Sequence, residues 1–351
     1  MRIRASAAIA LGLLSLSLSA LLSAQVRAAK APEIKAPDAS WKVPRTPWGH
    51  PDLQGVWTSD DLQGVPVERP KESGTRRFLT EQEMKDRDGY VGRIIQSAET
   101  GERPKEGFWA SQKGVDAAAV PANWVEFARR ASALTSLVSD PPDGRIPPLT
   151  EEAQQRSANQ PSYTNMRPQS YKDMTWYDRC VSRGVTAGFF PSIYGNGSEF
   201  VQTPDTVAIR YEMIHETRLI PLAAPGEADR PRNSSKMRSY MGEPRGHWEG
   251  DTLVVETKNF IGGRLAITFA PYSEDLTLVE RFRRTGPQTL EYSVTVNDPG
   301  TYTAPWTATF PLTSEPGYQI FEYACHEGNY AMRNRLSAAR AEEAREAAAG
   351  K

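Results

Sequence analysis

From about residue 190 onward, apolar and polar positions alternate with a period of two, in short runs that each end in turn residues. That period places successive side chains on opposite faces of a strand. The run 200–203 passes through Pro204-Asp205 into 206–219. Trp248-Glu249-Gly250-Asp251 turns into 252–260. The runs 276–284 and 290–298 flank Thr285-Gly286-Pro287-Gln288, and 303–312 and 318–325 complete the series. Strands at regular spacing, joined by hairpin turns, predict an antiparallel meander. Closure into a barrel is the expected outcome, because it removes exposed edges.

Alternation also sorts the side chains. Val207, Ile209, Tyr211, Met213 and His215 share one face, with Arg210, Glu212, Glu216 and Arg218 opposite. Leu253, Val255, Thr257 and Asn259 form a second stripe. Leu276, Leu278, Glu280 and Phe282 form a third, and Leu290, Tyr292, Val294, Val296 and Asp298 a fourth. A barrel interior then receives His215, Asn259, Glu280, Tyr292 and Asp298. A carboxylate on an apolar stripe must be paired, protonated or close to water. Proton transfer between Glu280 and His215 is one use of such a group. The structural alternative is an ion pair of Glu280 with Arg281 or Arg210.

The first half reads differently. Its prolines cluster before residue 170, and 30–50 reads as an extended arm. Gly55-x-Trp57 marks a first strand. Thr80-x-x-Glu83 is a capping box opening a helix to about Ser97. The apolar spacing of Trp124, Phe127, Ala128, Ala131 and Leu134, continuing to Leu137 or Val138, predicts a second helix over 121–138. Asp140-Pro141-Pro142-Asp143-Gly144 stops it. A short helix is expected after Thr150, and another in the Ala/Glu/Arg-rich segment 331–351. At the start, Arg2 and Arg4 precede an apolar run to Leu22, with small residues following, which is the layout of a cleavable signal peptide. The expected organisation is therefore a signal peptide at 1–28, an arm and helical wrapping at 29–189, the barrel at 190–330, and a C-terminal helix and tail at 331–351.

Composition narrows the function classes. Of 351 residues, 42 are Lys or Arg and 43 are Asp or Glu, for a net charge of -1. Such a balance gives no long-range attraction to nucleic acid or to an acidic membrane. No second long apolar run follows the first, so no membrane insertion is expected after signal cleavage. The two cysteines, Cys180 and Cys325, favour a disulfide in an oxidising compartment, with two buried thiols as the alternative. No short His or Cys spacing indicates a metal, no Gly-x-Ser-x-Gly a serine hydrolase, and no glycine-rich loop a nucleotide, so no cofactor is expected. His50 and His247 read as loop histidines. His326 follows Cys325 directly, and Glu327 and Asn329 could orient its ring.

The strings SDPPDGRIPPLT at 139–150, DRC at 178–180, WEGDTLVVET at 248–257 and EYACHEGN at 322–329 resemble a large group of exported bacterial proteins, mostly uncharacterised. That resemblance implies export and little chemistry. Gly55-x-Trp57 followed by the meander resembles lipocalin-like barrels. That second resemblance implies a pocket for a small apolar ligand, and in some relatives cofactor-free catalysis. The expectation is a periplasmic or secreted, cofactor-independent acid–base enzyme, a lyase or isomerase acting on a small aromatic or hydroxylated molecule. His215 and Glu280 would share proton transfer, with Tyr292 and His326 holding a substrate oxygen. Arg210, if its face turns inward, would pair a substrate carboxylate, Asn259 would bind substrate, and Trp248, Trp306 and Tyr323 would provide aromatic walls. A non-catalytic small-molecule-binding protein and an envelope structural protein are the alternatives. A solid apolar filling would favour the last.

Overall fold

The computed structural model describes residues 41–100, 126, 128–159, 167–192, 194–223, 237–264, 271–315 and 317–350. All of them lie within the compact unit Pro37–Lys351. The expected signal peptide at 1–28 lies outside the described residues. The protein is mainly β. Its strands are β1 (Gly55–Trp57), β2 (Val138–Asp140), β3 (Ser198–Gln202), β4 (Thr206–Tyr211), β5 (Thr217–Pro221), β6 (Glu243–Glu249), β7 (Thr252–Lys258), β8 (Gly263–Arg264), β9 (Pro271–Tyr272), β10 (Thr277–Gly286), β11 (Thr289–Asn297) and β12 (Trp306–Thr313). They form antiparallel sheets in the orders β1-β3-β4-β5 and β2-β12-β11-β10-β7-β6, with β8-β9 as a separate ribbon.

No closed barrel forms among the described residues. The two larger sheets meet at two seams, each held by an isolated bridge rather than a ladder. Thr58 and Thr313 exchange backbone hydrogen bonds of 2.7 and 2.9 Å at one seam, and Leu222 bridges to Gly246 at the other. The first half of the chain does more than wrap the sheets: β1 supplies an edge strand to one sheet and β2 to the other.

The apolar stripes predicted for β7, β10 and β11 all face inward. Leu253, Val255, Leu278, Phe282, Leu290, Tyr292, Val294 and Val296 are buried. Phe200 of β3 meets Phe282 of β10 across the interior, with ring centroids 5.4 Å apart. The β6–β7 hairpin turns at Gly250, whose φ of +60° suits a residue without Cβ. Trp57 on β1 is buried, and its indole N–H donates to Leu53 O.

Three helices are present among the described residues: α1 (Glu81–Thr100), α2 (Glu151–Asn159) and α3 (Ala331–Ala348). The capping box is formed as expected. Thr80 N donates to Glu83 Oε2 at 2.7 Å, and Glu83 N donates to Thr80 Oγ1 at 3.3 Å. No helix among the described residues is long and apolar enough to cross a membrane.

Three expectations are corrected. Of the helix expected over 121–138, residues 121–125 and 127 lie outside the described residues, and 128–138 is irregular chain running into β2. Its backbone bonds to distant segments instead, with Leu79 N donating to Ala133 O and Leu137 N to Pro66 O. Leu134, Leu137 and Val138 therefore fill the core from an edge, and their helical spacing is coincidental. Residues 318–325 form no strand; Phe321 is 70 % exposed there. The run 206–219 is two strands, separated by a turn in which Ile214 and His215 take positive φ of 66° and 53°. That turn resets the alternation. Val207, Ile209 and Tyr211 face inward before it, while Arg218 and Ile220 face inward after it.

Candidate functional site

The phase change after β4 brings Arg218, expected on the outside, into the interior opposite Glu280. Their side chains are 1 % and 0 % exposed, and Arg218 Nη2 lies 2.6 Å from Glu280 Oε2. The same Nη2 donates to Thr257 Oγ1 at 2.6 Å. Tyr292 Oη donates to Glu280 Oε1 at 3.1 Å. This arrangement ties β5 of one sheet to β7, β10 and β11 of the other. Burial and then the Glu280 charge raise the Tyr292 hydroxyl pKa well above its usual value. Burial alone would lower the Arg218 pKa, but Glu280 and Tyr211 overcome it, and the guanidinium stays charged.

The cluster is not saturated. Arg218 Nε and Nη1 and the Tyr211 hydroxyl are buried and meet no acceptor or donor in a well-directed hydrogen bond. The Tyr211 hydroxyl and the guanidinium still meet in a poorly directed hydrogen bond, and burial, the largest influence, pushes the Tyr211 pKa up. Orphaned buried donors are rare, and each requires an explanation. Aromatic rings surround the cluster. Phe189 packs 4.5 Å from Tyr292 and 5.4 Å from both Tyr211 and Phe282, centroid to centroid, and Phe310 packs 5.4 Å from Tyr292. Towards one rim, the Glu216 carboxyl accepts from Ser182 Oγ at 2.8 Å, and burial raises its pKa.

Of the residues expected to act together, the structure joins Glu280 with Tyr292 and separates the others. His215 leaves the interior with its turn, and its Nε2 lies 2.8 Å from Phe321 O. Arg210 points outward and pairs with Glu199 at 2.9 Å. Asn259 follows the end of β7 in a left-handed conformation, where its Nδ2 donates to Glu243 Oε2 at 2.8 Å. Asp298 is buried, but it caps a turn by accepting from Ser273 N and Oγ. Trp306 is fully buried beside Tyr302, and Trp248 is half-buried against His50. Tyr323 belongs to a peripheral trio in which Tyr177 Oη lies 3.1 Å from Tyr323 Oη and 3.0 Å from Tyr194 Oη. His326 is exposed, and the Asn329 amide turns to Cys180 Sγ rather than to its ring. The Cys180–Cys325 disulfide is present.

A second cluster went unnoticed in the sequence. Asp60, just beyond β1, shares Asn196 Nδ2 with Glu126, at 2.7 and 3.1 Å respectively. Burial first, then the Glu126 charge, raises the Asp60 pKa to about 8. Beside them, Glu212 accepts from Gly197 N, Tyr318 Oη and Phe321 N. Among the described residues no group of His, Cys, Asp and Glu is arranged to hold a metal ion.

The fold and site thus define a mainly β protein with a buried, incompletely satisfied ion pair between two facing sheets. No family model matches the chain, and no curated protein or solved structure matches it either.

Proposed function

We propose that this chain is an exported small-molecule-binding protein whose ligand enters between the two sheets, an arrangement akin to a flattened lipocalin-like barrel with two weak seams. The observation that carries the reading is Arg218, fully buried between the two sheets beside Glu280, whose Nε and Nη1 reach no acceptor in a well-directed hydrogen bond. The solid apolar filling of the interior, taken alone, favours a structural envelope protein. Orphaned donors beside a charged pair do not, since a structural core gains nothing from them. Polar groups converging among apolar walls are the usual composition of a ligand site. The disulfide fits an oxidising compartment, and the sequence before residue 29 fits export.

The test is thermal unfolding of the purified chain with a panel of small aromatic and hydroxylated compounds. The expected result is a compound that raises Tm, is recovered chemically unchanged, and loses its effect when Arg218 and Glu280 are replaced together by Met and Leu. A Tm rise that survives that replacement overturns the assignment of the site.

A second reading, a cofactor-independent lyase or isomerase, draws support from the hydrogen bond between Tyr292 Oη and Glu280, a tyrosine–carboxylate pair of the kind that moves protons. Turnover of a bound compound in EDTA, abolished in Glu280→Gln, supports that reading over simple binding. His215 and His326, both outside the interior, have no part in it.

A further inference from the structure

The Cys180–Cys325 disulfide has two unlike halves. Cys180 is buried, and its backbone is left-handed, with φ of +53°. A non-glycine residue seldom takes that conformation and keeps it only where its surroundings impose it. Cys325 is half-buried in a surface turn, between exposed Ala324 and exposed His326, Glu327 and Gly328. Access decides which sulfur a thiolate attacks, and here it favours Cys325. The departing sulfur matters as well. Asn329 Nδ2 donates to Cys180 Sγ at 3.1 Å. A donor so placed stabilises a thiolate and makes Cys180 the better leaving group. The Cys325 carbonyl oxygen, 2.9 Å from the same sulfur, accepts the thiol hydrogen once that thiolate is protonated.

The bond anchors a stretch of chain that has little else to hold it. Between residues 318 and 350 only Ala339 is buried. α3 docks through polar contacts at the surface, among them Arg167 to Glu346 at 2.8 Å and Gln169 Nε2 to Glu343 Oε1 at 3.0 Å. Exposed pairs of this kind contribute little each. Upstream of Cys325, the same stretch clasps the turn between β4 and β5. Tyr318 Oη and Phe321 N donate to Glu212, and Phe321 O lies 2.8 Å from His215 Nε2. One covalent bond therefore fastens a segment without an apolar core of its own over the turn that brings Arg218 inward.

We propose that Cys325 is a thiol-exchange site, at which an external dithiol opens the disulfide and frees residues 318–350 from their contacts. One thiolate of the dithiol attacks Cys325 Sγ. The Cys180–Cys325 bond breaks, a mixed disulfide forms on Cys325, and Cys180 departs as a thiolate that takes up a proton. The second thiolate of the dithiol then attacks the reductant's own sulfur in the mixed disulfide, and Cys325 departs and is protonated in turn. The protein gains two electrons and two protons, and the dithiol leaves as a cyclic disulfide. None of this depends on what the interior binds.

Two measurements on the full oxidised chain, without denaturant, test it. Brief exposure to glutathione, a monothiol that stops at the mixed disulfide, is quenched with acid and mapped by peptide mass. The adduct should sit on Cys325. An adduct mainly on Cys180 overturns the direction of attack, and no reaction until denaturant is added overturns the exchange site. The chain is then reduced with dithiothreitol and followed by hydrogen exchange. Residues 318–350 and 211–217 should exchange at least about tenfold faster than in the oxidised chain, while β10, β11 and β12 stay protected. Unchanged exchange in α3, or an equal rise in the sheets, overturns the release. Asn329→Asp keeps the acceptor that holds Ala331 N at the start of α3 but removes the donor to Cys180. That variant should be reduced about three- to tenfold more slowly, and a rate equal to the parent's overturns the role of Asn329.

Discussion

Removing either member of the Arg218–Glu280 pair leaves the other buried and charged. Glu280→Gln or Arg218→Met alone should therefore cost about 3–5 kcal/mol, the range found when one partner of a buried pair is lost. Replacing both, as Arg218→Met with Glu280→Leu, should recover most of that loss. Urea unfolding of the three variants checks this, and a double variant no better than the singles refutes it. Gly188→Ala should cost about 1–3 kcal/mol by overpacking against the Tyr211 ring, read as a lowered midpoint in the same assay. At this scale the sequence was half legible. Glu280 on an apolar stripe announced a buried carboxylate, but its partner was hidden. Leu219 is the more apolar neighbour and invites the inward position, yet it is 61 % exposed while Arg218 is buried. The signal that could have found Arg218 was the need of Glu280 for a cation, combined with Ile220 on the same phase as Arg218.

Elements framed by turn residues or by a cap were readable in advance. The Gly250 and Gly286 hairpins and the Thr80–Glu83 cap form where expected. The break between β4 and β5 was not readable, because Ile214 and His215 adopt left-handed backbone where glycine or asparagine is usual. Tertiary contacts impose that conformation: Glu212 N donates to Gly197 O, and the Glu212 carboxyl holds Tyr318 and Phe321. The Asp60–Glu126 pair at the neighbouring end of β1 makes stability depend on pH. The Asp60 carboxyl has a folded pKa of about 8 against 3.8 for a free one, so protonation favours the folded chain. Its contribution is complete below about pH 3.8 and is lost as pH rises through about 8. Asp60→Asn cannot ionise, and its stability should vary less across that window. Urea midpoints for both proteins between pH 5 and 9 check the sign, and parallel curves would refute the shift.

Over the whole molecule, the disulfide joins the segment before β3 to the segment after β12. α3 is held to the earlier segment by polar contacts, including Arg335 to Asp178 at 2.9 Å and Arg340 Nη1 to Gln169 O at 3.1 Å. Cys180→Ser with Cys325→Ser should cost up to about 4–5 kcal/mol on the chain-entropy account of a loop this long. Hydrogen exchange should rise first in α3 while β10, β11 and β12 stay protected. Uniform loss of protection would show instead that the bridge supports the sheets directly. The antiparallel meander was legible from its alternation, but the way the sheets meet was not. Seams depend on which distant residues happen to touch, and a period of two carries no such information. One of those seams has a consequence for how the protein is made. Residue 58 pairs with residue 313, so this seam can close only once nearly the whole chain has been made, well after β1 has met its ladder partner β3. Closing that seam is therefore a late event of folding.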